Sequence, residues 1–310
     1  MKKTTSFYRM LRRTALCLAA GAALAACSSV AITGRKQLLL VSDSEVLSLS
    51  QQNYSEYMRT AKKSTDAAQT QLVRTVGQRI ASAVETYLRQ NGQASEIQNY
   101  AWEFNLVQDA TPNAFCMPGG KIVVYEGILP YTRDANGLAI VLGHEVAHAV
   151  ARHSAEQISR QLLLNYGGQA LSSVMASKSA TSQVLAQQVF GLGAKYGVTL
   201  PYSRQNESEA DRIGLIFAAM AGYDPQAAIP FWQRMSAGTS GSTPEFMSTH
   251  PSDETRIENL RELMPEALRY YKGGSQPVTT PASGGTTRIV GGVPTSGTRV
   301  FTPEELNGGR

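Results

Sequence analysis

Gly143-His144-Glu145-Val146-Ala147-His148 decides how this chain is read. The run sits in a segment whose composition predicts helix from about Ala135 to Gln161, with Asp134 placed to cap its start. Residues four apart on a helix stand one above the other on one face. His144 and His148 can therefore offer two imidazole nitrogens to a single zinc ion at about 2.0–2.1 Å each. Glu145 projects near the same point, where a carboxylate can act as general base on a metal-bound water. Leu138, Ile140, Val141 and Leu142 lead in and suit a buried helix. An ordinary helix with solvated or core histidines would carry the same pattern, so the rest of the chain must decide.

A hydrolytic zinc site needs three protein ligands and an open position. The chain has four histidines, His144, His148, His153 and His250, so a carboxylate is a candidate third ligand. Ser203 caps a second predicted helix, on which Glu207 and Asp211 are four apart and share a face. One of that pair can ligate while the other orients a histidine N–H. Acids in a first turn would also simply complement the helix dipole. Glu209 should point elsewhere, and His153, one residue beyond another full turn from His148, should leave the metal face and serve structure.

Ordered segments elsewhere carry a resemblance. They are Thr33-Gly34-Arg35 with Gln37-Leu38, Asn113-Ala114-Phe115, Pro118-Gly119-Gly120-Lys121-Ile122 with Val124-Tyr125, and Leu142 to His153. Tyr202-Ser203-Arg204 with Glu207 and Ala210-Asp211, Gly222-Tyr223-Asp224-Pro225, Ser248-Thr249-His250-Pro251 and Arg256 follow in order. Together they resemble the zinc peptidases that include the HtpX heat-shock proteases, the CAAX prenyl endopeptidases and the periplasmic LoiP- and BepA-type proteases. The resemblance implies that His144, His148 and Glu207 bind one zinc ion per chain, with Glu145 as catalytic base. It implies that Asp211 supports a ligand from behind and that Arg256 lies near the site. It makes His250 a fourth ligand or a switch that would leave the enzyme latent. Without it, His250 reads as a loop histidine before a proline turn and Arg256 as a helix-surface ion pair.

The N-terminus reads as a processing signal. Lys2, Lys3, Arg9, Arg12 and Arg13 precede an apolar stretch from Ala15 to Ala26 that is too short to span a bilayer. Leu24-Ala25-Ala26-Cys27 resembles a bacterial lipobox, which implies lipidation of Cys27 and, with Ser28 next, outer-membrane sorting. The alternative is ordinary secretory cleavage and a soluble periplasmic protein. Those five basic residues account for the whole formal charge of +5, so removing them leaves zero. Nothing argues for nucleic acid. Cys17 leaves with the signal and Cys27 would be lipidated, so Cys116 remains alone, either a small buried residue or a thiol that pairs with another chain or modulates the nearby site.

The expected organisation is a signal over residues 1–26, a metallopeptidase domain over 27–272, and a Gly-, Ser-, Thr- and Pro-rich disordered tail over 273–310. Helices are predicted for Ser42 to Lys63 and Asp66 to Gln90, and strands around Trp102 to Leu106 and over Lys121 to Glu126. In related peptidases a strand like the second borders the cleft and pairs with extended substrate; an interior strand is the alternative. Gly167 to Thr199 shows no membrane span and is a candidate lid. The expected fold is α+β and mainly helical, a zincin-type domain with the His-Glu-x-x-His helix, a second glutamate-bearing helix and a small sheet at the cleft. The expected function is a zinc endopeptidase of the bacterial envelope, anchored to the outer membrane and facing the periplasm. Its partners would be unfolded or misfolded envelope proteins and the outer-membrane assembly machinery. The competing expectation is a chaperone-like assembly factor with a latent or structural zinc. An exopeptidase would need a terminus-binding group that the sequence does not identify.

Overall fold

The computed structural model describes residues 27–30, 32–176, 189, 201–237, 245–250 and 255–273. The signal segment 1–26, the tail 274–310 and most of the candidate lid lie outside the described residues. Two short strands open the chain, β1 (Cys27–Ser29) and β2 (Lys36–Leu38), antiparallel with Cys27 opposite Leu38. Helix α1 (Asp43–Thr60) starts on a reciprocal cap: Ser42 Oγ accepts from the Glu45 N–H, and the Glu45 carboxylate accepts from the Ser42 N–H. That pairing satisfies two otherwise orphaned donors. Helix α2 (Ala67–Gln90) starts on Asp66, which accepts from the Gln69 N–H. Buried Leu72, Val76, Ile80, Val84 and Leu88 recur every fourth residue of α2 and form its apolar face.

The sheet has three strands: β3 (Glu103–Val107), β4 (Ala114–Met117) and β5 (Lys121–Tyr125). Their order is β3-β5-β4. β3 runs parallel to β5 with Phe104 opposite Ile122, and β4 runs antiparallel with Cys116 opposite Ile122. Of the two readings of the Lys121 strand, pairing with substrate or lying in the interior, the structure has the interior one. β5 is paired on both sides and every residue in it is buried, so it has no free edge. The edge strands are β3 and β4, and β4 packs against the helix of the opening motif.

That helix follows a short one, α3 (Leu129–Thr132), and is α4 (Ala135–Val150). Asp134 caps it by accepting from the Gly137 N–H at 2.9 Å. α4 is buried all round, as befits a helix in the middle of a domain. The prediction of one helix to Gln161 is corrected: the chain breaks at Ala151-Arg152 and restarts as α5 (His153–Ala176). Arg152 takes a left-handed φ of 58° there, a conformation that ends a helix whichever residue adopts it.

Next come α6 (Arg204–Met220) and, after a 3-10 turn at Pro225–Ala227, α7 (Ala228–Ala237). Last are α8 (Glu245–Thr249) and α9 (Arg256–Tyr270). α4 crosses α6 at a pair of glycines. A Cβ on Gly143 would sit 2.6 Å from the Gly214 carbonyl oxygen, and one on Gly214 would sit 2.8 Å from the His144 nitrogen. Only hydrogen side chains permit that approach, and it brings the first turns of α6 alongside the histidines of α4. Among the described residues, no helix is long and apolar enough to cross a membrane.

Candidate metal centre

α4 supplies His144, Glu145 and His148, α6 supplies Glu207 and Asp211, the residue just after α8 is His250, and α9 supplies Arg256. All seven are buried. His144, His148, Glu207 and His250 each turn one ligand atom inward, all within 4.8 Å of one another. His144 Nε2 lies 3.1 Å from His148 Nε2, 3.2 Å from His250 Nδ1 and 3.3 Å from Glu207 Oε2. Glu207 Oε1 lies 3.1 Å from His250 Nδ1 and 3.4 Å from His148 Nε2. Around a tetrahedral zinc with ligands at about 2.0–2.1 Å, neighbouring ligand atoms stand about 3.3–3.4 Å apart. The five contacts, at 3.1–3.4 Å and using both Glu207 oxygens, come near those edges.

The donor set fits the ion chemically as well as in size. Three imidazoles and a carboxylate crowd acceptor atoms together where water is excluded. Glu207 Oε2 is buried without a hydrogen-bond partner, and the Arg256 guanidinium faces it at 3.4 Å. Burial pushes the Glu207 carboxyl up, but the imidazoles of His250, His144 and His148 outweigh it and hold it well below the ordinary range. Burial pulls His144 down, yet Asp211 and Glu207 together raise it to about 9. The two carboxylates thus pull strongly on any positive charge at this imidazole, whether a proton or a metal ion. His148 goes the other way, held well below its usual value chiefly by burial.

Asp211 sits behind the cluster. Its Oδ1 accepts from His144 Nδ1 at 3.0 Å, which leaves the Nε2 lone pair facing inward. The same oxygen accepts from Arg256 Nη2 at 2.7 Å. The Arg256 guanidinium lies 3.5 Å from the Trp232 ring centroid, and its Nη1 is 3.4 Å from Glu207 Oε2. Burial raises the Asp211 carboxyl, but Arg256 and His144 more than offset it and the net shift is downward.

Glu145 stands at the rim. Burial raises its carboxyl pKa, and the Cys116 backbone supplies a hydrogen bond. Its Oε1 is 3.4 Å from His250 Nε2 and has no hydrogen-bond partner. Cys116 itself is free and buried on β4, with its thiol pushed well up by burial. His250 thus has one nitrogen in the cluster and the other beside Glu145. It is held by its backbone N–H to Phe246 and by the Phe246 ring, which stacks on Trp232 with centroids 5.7 Å apart.

Two residues lie nearer than the sequence suggested. His153 Nδ1 is 2.9 Å from His148 Nδ1, because the break at Arg152 turns the next helix back toward the ligands. Glu209 does point away from the cluster, but toward His153 Nε2 at 3.0 Å. No spacing rule finds either contact, since both depend on the break. Tyr202 was part of the resemblance without a role; its ring stacks on His148 with centroids 4.1 Å apart.

Comparison with known proteins places this geometry. The family model for Peptidase family M48 matches residues 67–264. The mitochondrial metalloendopeptidase OMA1 of Schizosaccharomyces pombe is 43% identical over 175 residues, covering 56% of this chain and 50% of that protein. The mitochondrial metalloendopeptidase OMA1 of Bos taurus is 34% identical over 265 residues, covering 84% of this chain and 49% of its own length. The beta-barrel assembly-enhancing protease of Escherichia coli is 32% identical over 165 residues, covering 52% of this chain and 34% of its own. The chain therefore spans about half the length of the mitochondrial relatives.

These relatives correct the expected location. The outer membrane, with a lipid anchor at Cys27 and a periplasmic face, is not supported, nor is its soluble periplasmic alternative: relatives matching 56% and 84% of this chain carry mitochondrial names. The physical reason is that a short, basic, acid-free N-terminus does not choose between an export signal and a mitochondrial transit segment. The metal cluster, the helix crossing that builds it and the model match over most of the domain agree, and the chain belongs to Peptidase family M48.

Proposed function

We propose that the chain is a zinc endopeptidase that cuts extended segments of unfolded or misfolded proteins. The observation that carries the reading is a buried carboxylate, Glu145, without a hydrogen bond at Oε1, beside three imidazoles and a carboxylate close enough to share one metal ion. His144, His148 and Glu207 would hold the ion, with Asp211 and Arg256 fixing His144 from behind. Zinc so held supplies a Lewis acid and lowers the pKa of water toward neutrality.

The chain's own residues do the rest. Glu145 Oε1 takes a proton from the attacking water and later delivers it to the leaving amine; a carboxyl with a raised pKa suits both steps. On this reading β4, which has a sheet neighbour on one side only, would take substrate on its other side. An extended peptide added there would bind through main-chain hydrogen bonds, with little demand on its side chains. Such binding suits substrates that have lost their own structure.

A second reading has its own support. His250 brings a fourth ligand atom into the cluster, and four protein ligands make a closed, structural type of zinc site. On that reading the protein is latent, or a chaperone-like assembly factor whose zinc ties α4, α6 and α8 together. One digestion separates the two. The full chain and its Glu145→Gln variant are compared on an unfolded protein substrate, with zinc content measured on both. Cleavage by the first, reduced about 10²–10⁴-fold in the second at equal zinc, is the expected result. No cleavage by either, with zinc bound, would favour the second reading, and His250→Ala should then switch cleavage on.

A further inference from the structure

Behind His148 lies a buried chain of polar groups that the opening motif does not contain. His148 Nε2 faces the cluster, and its Nδ1 meets His153 Nδ1 at 2.9 Å. His153 is fully buried, and its Nε2 meets Glu209 Oε2 at 3.0 Å. Glu209 also accepts from Thr33 Oγ1 and, at 2.6 Å, from Arg35 Nε. Arg35 turns its other two nitrogens on Glu156, at 3.0 and 2.8 Å. Glu156 accepts as well from Asn206 Nδ2, next to the ligand Glu207.

The direction of every proton in this chain is forced. An arginine only donates and an ionised carboxylate only accepts. Glu209, held by Arg35, must therefore receive a hydrogen from His153 Nε2. A neutral imidazole with its hydrogen on Nε2 has a lone pair on Nδ1. That lone pair must meet an N–H, so His148 carries its hydrogen on Nδ1. The His148 lone pair is left on Nε2, the atom that faces the cluster. The hairpin residue Arg35 thus selects the ligating tautomer of His148 from three hydrogen bonds away.

We propose that His153 is a positioning residue for the metal ligand His148, and that Glu209 and Arg35 of the β1–β2 hairpin set its proton polarity. The inference rests on the reading above that His148 holds zinc through Nε2. His144 has the shorter version of the same device, with Asp211 and Arg256 and no intervening ring. Buried partners of ligand histidines tune both ring orientation and ligand basicity, and their loss weakens metal binding by roughly 10–100-fold.

The test is zinc affinity of the full chain by chelator competition, with ring-nitrogen NMR on the zinc-loaded protein. In the wild type, His148 should carry hydrogen on Nδ1 and His153 on Nε2. His153 protonated on Nδ1 would overturn the proposal without any variant. His153→Leu should weaken zinc binding roughly 10–100-fold. His153→Gln keeps an acceptor for His148 and a donor for Glu209, so it should stay within about threefold of wild type. A purely structural role would not make that distinction: equal affinity in Leu and wild type, or equal loss in Leu and Gln, would sink the proposal. If the wild type itself binds no zinc, the metal reading beneath has failed instead.

Discussion

The two histidines of the motif helix are chemically identical and four residues apart, yet the fold backs them differently. His144 leans on one carboxylate, Asp211, held by one arginine, Arg256. All three residues fall within 67–264, where the family model matches. His148 leans on a second histidine, then Glu209, then Arg35, which lies outside that span. The short path is deeply enclosed, with Arg256 stacked on Trp232. The long path ends on an arginine whose side chain is 15% exposed and shared between two carboxylates. A ligand can therefore be fixed rigidly by a local pair, or tied to a distant segment by a relay. The second arrangement makes the metal site sensitive to a hairpin at the start of the described chain.

The largest expected effect separates the two paths directly. Asp211→Ala leaves Arg256 buried with no hydrogen-bonded carboxylate, and breaking a buried pair in this way costs about 3–5 kcal/mol. Glu209→Ala leaves Arg35 still bonded through two nitrogens to Glu156, so it should cost about 1–3 kcal/mol. Urea unfolding of the two variants checks the order; equal losses would mean the paths are backed alike. A smaller effect tests the crossing on which both depend. Gly214→Ala places a methyl 2.8 Å from the His144 nitrogen, where neither backbone can yield cheaply. It should cost about 1–3 kcal/mol and reduce zinc binding by moving Glu207 and Asp211 away together. A stable variant with normal zinc affinity would show that the helices have slack.

This contrast also explains what could be read from the sequence. The pairs His144/His148 and Glu207/Asp211 stand out because each repeats at four residues on a helix with a clear N-cap, Asp134 or Ser203; which acid ligates came only with the resemblance. α2 was legible from its Ala-, Gln- and Leu-rich stretch, from Asp66 to Gln90. The break after Val150 was not, because a left-handed arginine carries no glycine or proline signal. With it went the true position of His153. Arg35 reaches Glu156 and Glu209 across 121 and 174 residues, a pairing that only the folded chain reveals. β4 was missed because all four of its residues are buried, which removes the alternation that marks a half-buried strand.

The smallest effect, spread over several pH units, concerns the metal-stripped protein. There the two histidines should titrate with opposite signs. His144 is raised to about 9 by Asp211 and Glu207 against the pull of burial. A raised pKa contributes stability that is complete below the unfolded value, about 6.5, and is lost as pH climbs through 9. His148 is lowered, mainly by burial, so it favours the folded chain above about 6.5 and counts against it as pH falls and the unfolded imidazole takes up its proton. Stability of the chelator-treated chain, followed by urea unfolding across pH, should therefore sag on both sides of a neutral maximum. Asp211→Asn removes the nearer of the two carboxylates that raise His144, so it should flatten the alkaline limb and spare the acid one below pH 6.5, apart from Asp211's own contribution near and below pH 4. An alkaline limb that survives the substitution would place its origin outside the His144 path, and the asymmetry between the two ligands would have to be carried by geometry alone.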